Sequence, residues 1–248
     1  MKKNLFIACL AITAICYGLF ISASARQMHK NHKTPAMDNT LTPSEKKQGY
    51  VLLFDGASTN GWRTYQHKTG SWSVEGGTLY CHKTPEQKYA DLITNDEYEN
   101  FELQIDWKVE PNANSGIMYM VTEQYEQSYL SGPEYQVLDN EGYKGKIEDY
   151  QKAAAAYAIK APSVDATKPI GEWNHTVIIV NKGHVEHWLN GKKVVEYELW
   201  SPEWKAAKEH GKWKDAPGYG MSKSGHIALQ DYHGDGKVWF KNIKMRKL

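Results

Sequence analysis

Residues 132–140, GPEYQVLDN, place a carboxylate and an amide on the same side of a short predicted strand. Successive side chains of a β-strand point to opposite faces, so Glu134, Gln136 and Leu138 share one face. A carboxylate can act as an acid or a base, and an amide beside it can bind a ligand. The face that carries Glu134 and Gln136 is therefore either ordinary wet surface or the floor of a site.

A second polar group lies near the carboxyl terminus, in IALQDYHGDG. Asp231 and His233 are two residues apart, so they share a face if the strand persists, and Gln230 leads into them. A carboxylate and an imidazole on one face supply two more titratable groups. We treat Asp231 and His233 as further candidates for acid and base chemistry.

A metal site is left open by the sequence. Glu134, Asp139 and His233 would form an oxygen-rich set with one imidazole, which suits a divalent ion. No compact ligand motif accompanies them, and His184 and His187 of HVEH should lie on opposite faces of a strand. The sequence therefore makes no cofactor certain and keeps a divalent metal ion as an option.

The elements that must position these residues are mainly β-strands. FELQIDWKV, residues 101–109, alternates apolar and polar side chains, as a half-buried antiparallel strand does. Turn signals at residues 181–183 and 190–191 predict two hairpins, and residues 225–248 predict a third around residues 234–236. Many strands with little helix favour an all-β sandwich or barrel.

Three segments are helix candidates. TPSE at residues 42–45 combines a cap, a proline at the first helical position and a capping-box glutamate. EDYQKAAAAYAI at residues 148–159 is rich in alanine, and SPEWKAAKEH at residues 201–210 has Ser201 as its cap. We expect a few short helices beside the strands.

The aromatic content suits a surface that is half wet and half apolar. The 248-residue chain has nine Trp and sixteen Tyr but only five Phe, and Trp and Tyr both carry a polar group. Tryptophans within strands are expected in the core. Trp62, Trp72 and Trp200 lie beside turns and are better candidates for contacts with a ligand such as a sugar.

The amino terminus has the organisation of a secretory signal peptide. Lys2 and Lys3 precede an apolar run over residues 5–21, and Ala23-Ser24-Ala25 ends it as a cleavage site. We predict a signal peptide at residues 1–25, a flexible linker at 26–41 and one domain at 42–248. The protein would then be periplasmic or secreted, with no integral membrane domain after cleavage, although an uncleaved anchor is the alternative.

Cleavage would change both the charge and the cysteine content. The mature chain would carry 28 basic and 29 acidic residues, a net charge of −1, which gives no electrostatic footprint for nucleic acid. Cys81 would be its single cysteine, so no internal disulfide can form. We expect Cys81 to be a bystander at the end of a strand rather than a nucleophile.

Six segments carry a resemblance to a known family. YVLLFDGASTNGW, NSGIMY, PEYQVLDN, GEWNHTVIIV, VEHWLNGKKVVEY and IALQDYHGDGKVWFKNIKM occur in the order typical of a bacterial family once known only as a domain of unknown function. That family is now described as 3-keto-disaccharide hydrolase, and the chain resembles its secreted Bacteroidetes-type members from residue 49 to residue 248. The resemblance implies a two-sheet antiparallel β-sandwich, a concanavalin-like or laminin-G-like jelly roll, with a carbohydrate site on the concave sheet.

The resemblance also implies action on glycosides whose C3 hydroxyl has been oxidised to a ketone. Such chemistry needs a base near C2, a group that stabilises the enolate, and an acid for the leaving group. Glu134, Asp231 and His233 are the residues that we expect to divide these catalytic roles. This chain has Tyr232 between Asp231 and His233, an insertion that reverses the face of His233 unless a bulge restores it.

The predicted substrate contacts complete the site. They are drawn from the same segments and from the loop tryptophans: Gln136, Gln230, Asn114, Ser115, Trp62 and Trp72. Two other functions stay open, a non-catalytic lectin-like glycan-binding module on the same sandwich and an ordinary glycosidase with a carboxylate pair.

Overall fold

The computed structural model describes residues 37–81, 90–231 and 235–248, which fall in one compact unit, Ala36–Leu248. The α-helices and strands of these residues, in chain order, are α1 (Pro43–Lys47), β1 (Val51–Leu52), β2 (Trp62–Thr64), β3 (Trp72–Glu75), β4 (Thr78–Cys81), β5 (Leu92–Thr94), β6 (Phe101–Val109), β7 (Asn114–Val121), β8 (Glu134–Leu138), β9 (Asn174–Asn181), β10 (His184–Leu189), β11 (Lys192–Glu198), α2 (Pro202–His210), β12 (His226–Leu229) and β13 (Val238–Lys247). Short 3₁₀-helical turns occur at Tyr65–His67, Ser128–Leu130 and Asp149–Gln151.

The strands form two antiparallel sheets. The larger sheet has the order β11-β10-β9-β6-β13-β4-β3, with β1 added beside β13, and the smaller has the order β2-β5-β12-β7-β8. Neighbours in both sheets pair antiparallel. The predicted all-β sandwich of the jelly-roll type, with few helices, is confirmed.

The core lies between the sheets because each strand sends alternate side chains inward. In β6 the buried and half-buried positions alternate along all nine residues, as the sequence pattern predicts. Trp107 of β6 is fully buried, as are Tyr119 of β7 and Tyr135 of β8 from the opposing sheet. Burial of each large apolar side chain contributes about 1.5–3 kcal/mol to folding, so this layer holds the sheets together.

Two of the three predicted hairpins are confirmed. Strands β9 and β10 meet at Lys182-Gly183, and β10 and β11 meet at Asn190-Gly191, where both turn residues have positive φ, 50° and 82°. That conformation is the one that Asn-Gly supplies at low cost in a two-residue hairpin.

The third hairpin is wrong. Strand β12 belongs to the smaller sheet and β13 to the larger, so the chain crosses from one layer to the other between them. Gly236 forms a parallel bridge to Ala113 at this crossing instead of closing a turn between the two strands. Both strands are apolar on an inward face, so their alternation does not reveal that they join different sheets.

The first and last helix candidates are confirmed. Thr42 and Glu45 form the capping box of α1, and the Ser201 hydroxyl accepts a hydrogen bond from Trp204 N at the start of α2. Among the described residues, no helix combines the length and the apolar character that crossing a membrane requires.

The alanine-rich candidate is wrong. After a single 3₁₀ turn, residues 154–157 run beside β8, where Ala154 N donates to Gln136 O at 2.8 Å and Tyr157 N donates to Glu134 O at 3.0 Å. Pairing with this open strand edge outweighs the helix propensity of alanine, which is a weak preference. The small side chains at 153–156 are all buried, which lets the segment pack closely.

Candidate active site

A cavity of about 220 Å³ lies on the face of the smaller sheet that points away from the core. The alternation along β8 explains its floor, because Tyr135 and Val137 enter the core whereas Glu134 and Gln136 point the other way. The cavity is lined by Asn114, Tyr129, Glu134, Gln136, Tyr157, Lys212 and Gln230. The predicted face is therefore the floor of a pocket.

Strand β7 shapes the floor beside Glu134. Gly116 pairs with Gln136 in the register, and a side chain at residue 116 would collide with the Glu134 carboxylate. The glycine of NSGIMY therefore leaves the space in which that carboxylate lies. Gln230 comes next to it because Gln230 N donates to Gly116 O at 2.9 Å.

Three segments outside the strands supply the walls. Residues 154–157 follow the edge of β8 and bring Tyr157, while the 3₁₀ turn at Ser128–Leu130 brings Tyr129. The loop after α2 brings Lys212, whose ammonium lies 4.4 Å from the centre of the Tyr157 ring. The loop is fixed there because Trp213 Nε1 donates to Tyr157 O at 3.0 Å.

The carboxyl group of Glu134 has an unusual acidity. Only 4% of the residue is exposed, and burial raises the pKa of Glu134 to about 8, since a buried carboxylate loses its hydration. The Lys212 ammonium acts against this shift and the Asp91 carboxyl reinforces it. Near neutral pH the group is poised between its acid and its base forms, as a catalytic acid or base requires.

The Gln136 amide lies between Glu134 and Asn114. With its nitrogen toward Glu134, it donates to Glu134 Oε1 at 3.0 Å and to Ser115 O at 3.1 Å. Its other amide atom then lies 3.1 Å from the Asn114 side chain. This orientation gives the amide nitrogen two acceptors, so it is the one that satisfies the group best.

The buried carboxyl group of Asp91 holds two segments beside the pocket floor. Asp91 Oδ1 accepts a hydrogen bond from Asp231 N at 2.9 Å, and the Ser128 hydroxyl donates to Asp91 Oδ2. Burial raises the pKa of Asp91. Asp231 is buried as well, and the structure places it beside the pocket, outside the set of residues that line it.

The predicted contacts divide into two groups. Asn114, Gln136 and Gln230 line the pocket with Glu134. Ser115 does not, because it faces the interior, where its hydroxyl donates to Gln230 O at 2.7 Å.

The two loop tryptophans also lie elsewhere. Trp62 is buried in the core with its indole N–H donating to Leu53 O, and Trp72 packs against Phe240 and donates to Ala90 O at 2.9 Å. Neither Trp62 nor Trp72 is therefore among the residues that line this pocket. A position beside a turn does not reveal whether other parts of the chain cover the side chain.

Two members of the predicted metal set, Glu134 and Asp139, lie apart. Asp139 is five residues from Glu134 and so points to the opposite face of the chain, toward a separate cavity of about 330 Å³. Its carboxylate accepts hydrogen bonds from the backbone N–H groups of Asn112 and Gly142. Glu134 and Asp139 therefore do not ligate one ion, and His233 lies outside the described residues.

One other group of potential ligands occurs among the described residues. His184, Glu186 and Glu196 have side-chain atoms within 4.8 Å of one another on the outer face of the larger sheet. Lys193 pairs with both glutamates there, at 3.2 and 2.7 Å. His187 lies on the buried inner face, as its three-residue spacing from His184 predicts.

Four residues in or beside the site were not predicted from the sequence: Asp91, Tyr129, Tyr157 and Lys212. Each lies outside the strands that carry the alternating pattern, or at the start of a short one. Lys212 lies in a loop with two other lysines, Lys214 and Lys223, so its type and spacing carried no signal. Its contact with the Tyr157 ring forms only in the folded chain.

Comparison with known proteins places this chain in a family. Residues 49–246 match the family model described as a 3-keto-alpha-glucoside-1,2-lyase-like domain. A 3-keto-disaccharide hydrolase of Bacteroides thetaiotaomicron is 36% identical, over 88% of this chain and 85% of that protein.

Solved structures agree with this result. A presumed glycosyl hydrolase from Parabacteroides distasonis is 37% identical with a TM-score of 0.79, covering 86% of this chain and all of that one. A second from the same organism is 31% identical with a TM-score of 0.64, covering 80% and 99%. The extent of these matches shows that the chain belongs to the 3-keto-disaccharide hydrolase family.

Proposed function

We propose that the protein cleaves glycosides, including disaccharides, whose C3 hydroxyl has been oxidised to a ketone. Membership of the family makes cleavage of carbohydrate glycosidic bonds its general class of function. The name of the Bacteroides relative and the buried carboxyl group on the pocket floor support the narrower substrate.

The chemistry follows from the ketone. A carbonyl at C3 acidifies the C2 hydrogen, so a base can remove that proton and leave the electron pair in an enolate. When the C3 carbonyl re-forms, a double bond forms between C1 and C2, the C1–O bond breaks, and the departing oxygen takes a proton. Addition of water across the new double bond then gives net hydrolysis.

Glu134 is the base in this proposal, and its burial in the pocket is the observation that carries it. A carboxylate with a pKa of about 8 is a stronger base than an ordinary glutamate, and a fraction of it is ionised at neutral pH. The protonated Glu134 can return its proton to the departing oxygen. Asp231 and His233 remain proposals for assistance in that step.

The negative charge on the enolate oxygen must be stabilised by a positive charge or by hydrogen-bond donors. The Lys212 ammonium and the side-chain amides of Asn114 and Gln230 line the same pocket as Glu134. Donors held in place before the reaction stabilise developing negative charge without reorganising. The rings of Tyr129 and Tyr157 offer faces for the apolar side of a sugar.

The decisive experiment compares matched substrates. The purified protein is incubated with a 4-nitrophenyl glucoside and with its 3-keto derivative, with and without chelator, and nitrophenol release is followed. We expect release from the keto compound only, and release that is slower by about a hundredfold or more with Glu134→Gln.

Other outcomes of this assay would reject or extend the proposal. Equal cleavage of both compounds would indicate an ordinary glycosidase, and saturable binding without product would indicate a lectin-like module. Loss of activity with chelator, restored by a divalent ion, would add a metal to the mechanism.

We also propose that the protein is exported, to the periplasm or beyond the cell. The support is the sequence of the first 25 residues, with Lys2 and Lys3 before an apolar run and a small-residue end. Mass spectrometry of protein purified from its native envelope should find Arg26 at the amino terminus. Recovery of Met1 would reject cleavage.

A further inference from the structure

A histidine lies buried directly behind the wall of the pocket. His187 of β10 is fully buried in the core and does not line the cavity. Its Nδ1 lies 2.9 Å from Ala154 O and its Nε2 lies 3.0 Å from the Tyr119 hydroxyl. Both ring nitrogens are therefore in use, although no catalytic step above involves them.

The partners of the ring fix its protonation. A carbonyl oxygen can only accept, so Nδ1 carries the hydrogen and donates it to Ala154 O. Nε2 then accepts from Tyr119, whose oxygen accepts in turn from the Tyr197 hydroxyl at 2.6 Å. Burial lowers the pKa of His187 to about 4, which keeps the ring neutral and this tautomer in place.

Ala154 is the point at which the network reaches the pocket. Its N–H donates to Gln136 O at 2.8 Å, and Gln136 N donates to Ala155 O at 3.2 Å. Ala154 has φ of 68°, a left-handed conformation that is unfavourable for a residue with a side chain. Such strain persists only where surrounding contacts hold it, and here His187 binds one side of the residue and Gln136 the other.

We propose that His187 is a positioning residue for the reaction proposed above, on which this inference rests. Its bond to Ala154 O holds the strained segment against β8. That segment carries Tyr157, which lines the pocket, and it fixes the backbone of Gln136, whose amide donates to Glu134. Loss of the bond would loosen this wall and displace the two side chains beside the base.

Three variants separate positioning from stability. His187→Leu removes the donor to Ala154 O, whereas His187→Asn keeps one, because the asparagine Nδ2 occupies the place of the histidine Nδ1. Tyr119→Phe is the matched control, since it removes the hydrogen bond on the other side of the ring and leaves the Ala154 bond intact.

We expect His187→Leu to raise KM and to lower kcat/KM by about tenfold to a hundredfold, the scale of an ångström displacement in a site. His187→Asn should restore kcat/KM to within a few-fold of the unmodified protein. Tyr119→Phe should lower the melting temperature with KM unchanged. Hydrogen exchange of the Ala154 and Tyr157 amides should quicken in His187→Leu alone.

The exchange measurement keeps this inference separate from the proposed function. If the unmodified protein fails to cleave 3-keto glycosides, the function is rejected while the exchange rates still test the anchor. If His187→Leu does not fold, the test is made with the other two variants. His187→Asn must then have the kcat/KM and the Ala154 exchange rate of the unmodified protein, while Tyr119→Phe has a lower melting temperature. Slow Ala154 exchange and an unchanged KM in folded His187→Leu would overturn the proposal.

Discussion

Replacing Glu134 by glutamine keeps the size of the side chain and removes its charge and its proton. The neutral carboxyl and the amide have similar burial costs, so the two proteins should be equally stable while Glu134 is protonated in both the folded and the unfolded chain. They should differ as soon as the unfolded chain ionises. The substitution therefore tests both the raised pKa and the catalytic role.

The magnitude follows from the two acidities. The pKa of Glu134 is about 8 in the folded protein against an ordinary value of 4.5, so the folded chain keeps a proton that the unfolded chain loses. Stability is then lost as the pH rises from about 4.5 to about 8, and none of it returns above that range. At 1.36 kcal/mol per pH unit the full loss is roughly 5 kcal/mol.

The assay is thermal unfolding of both proteins at half-unit steps between pH 4 and pH 9, beside kcat/KM on the 3-keto substrate. For a domain of this size, 5 kcal/mol corresponds to a difference of about 10 to 20 °C in Tm. We expect Glu134→Gln to match the unmodified protein at pH 4 and to melt higher above pH 7. Its kcat/KM should fall by about a hundredfold or more.

A Tm difference that stays constant across this range would refute the raised acidity, because Glu134 would then have an ordinary pKa. Cleavage of substrate by the folded variant at the unmodified rate would refute the catalytic role. A variant that is less stable at every pH and equally less active would instead indicate a structural role for the carboxyl group.

Three further predictions concern the same pocket. The kcat/KM of the unmodified protein should rise with pH and level off above about 8, since the base must be ionised; a fall over this range would make Glu134 the acid. Lys212→Met should move that profile to higher pH, because the ammonium lowers the Glu134 pKa, whereas Lys205→Met on α2 should leave it unchanged. Gly116→Ala should displace the Glu134 carboxylate and reduce kcat/KM and Tm together; unchanged kinetics would show that the side chain has room elsewhere.

Local sequence determined much of the fold. Alternation along β6, the Asn190-Gly191 turn and the capping box of α1 each depend on neighbours in the chain, and all three form as predicted. The same period of two placed Glu134 and Gln136 on one face. Applied consistently, it also separates Asp139 from that face, which the metal hypothesis overlooked.

Tertiary structure alone decided which side chains surround that face. The alanine segment with Tyr157 pairs with the edge of β8, and the loop after α2 places Lys212 against the Tyr157 ring. Some 80 residues separate Lys212 from Glu134 in the sequence, so no local pattern relates them. Burial under these segments also gives Glu134 its raised pKa. Side-chain direction is set by backbone geometry at one residue, whereas burial depends on segments that meet only in the folded chain, so the sequence predicted the face and the structure decided its chemistry.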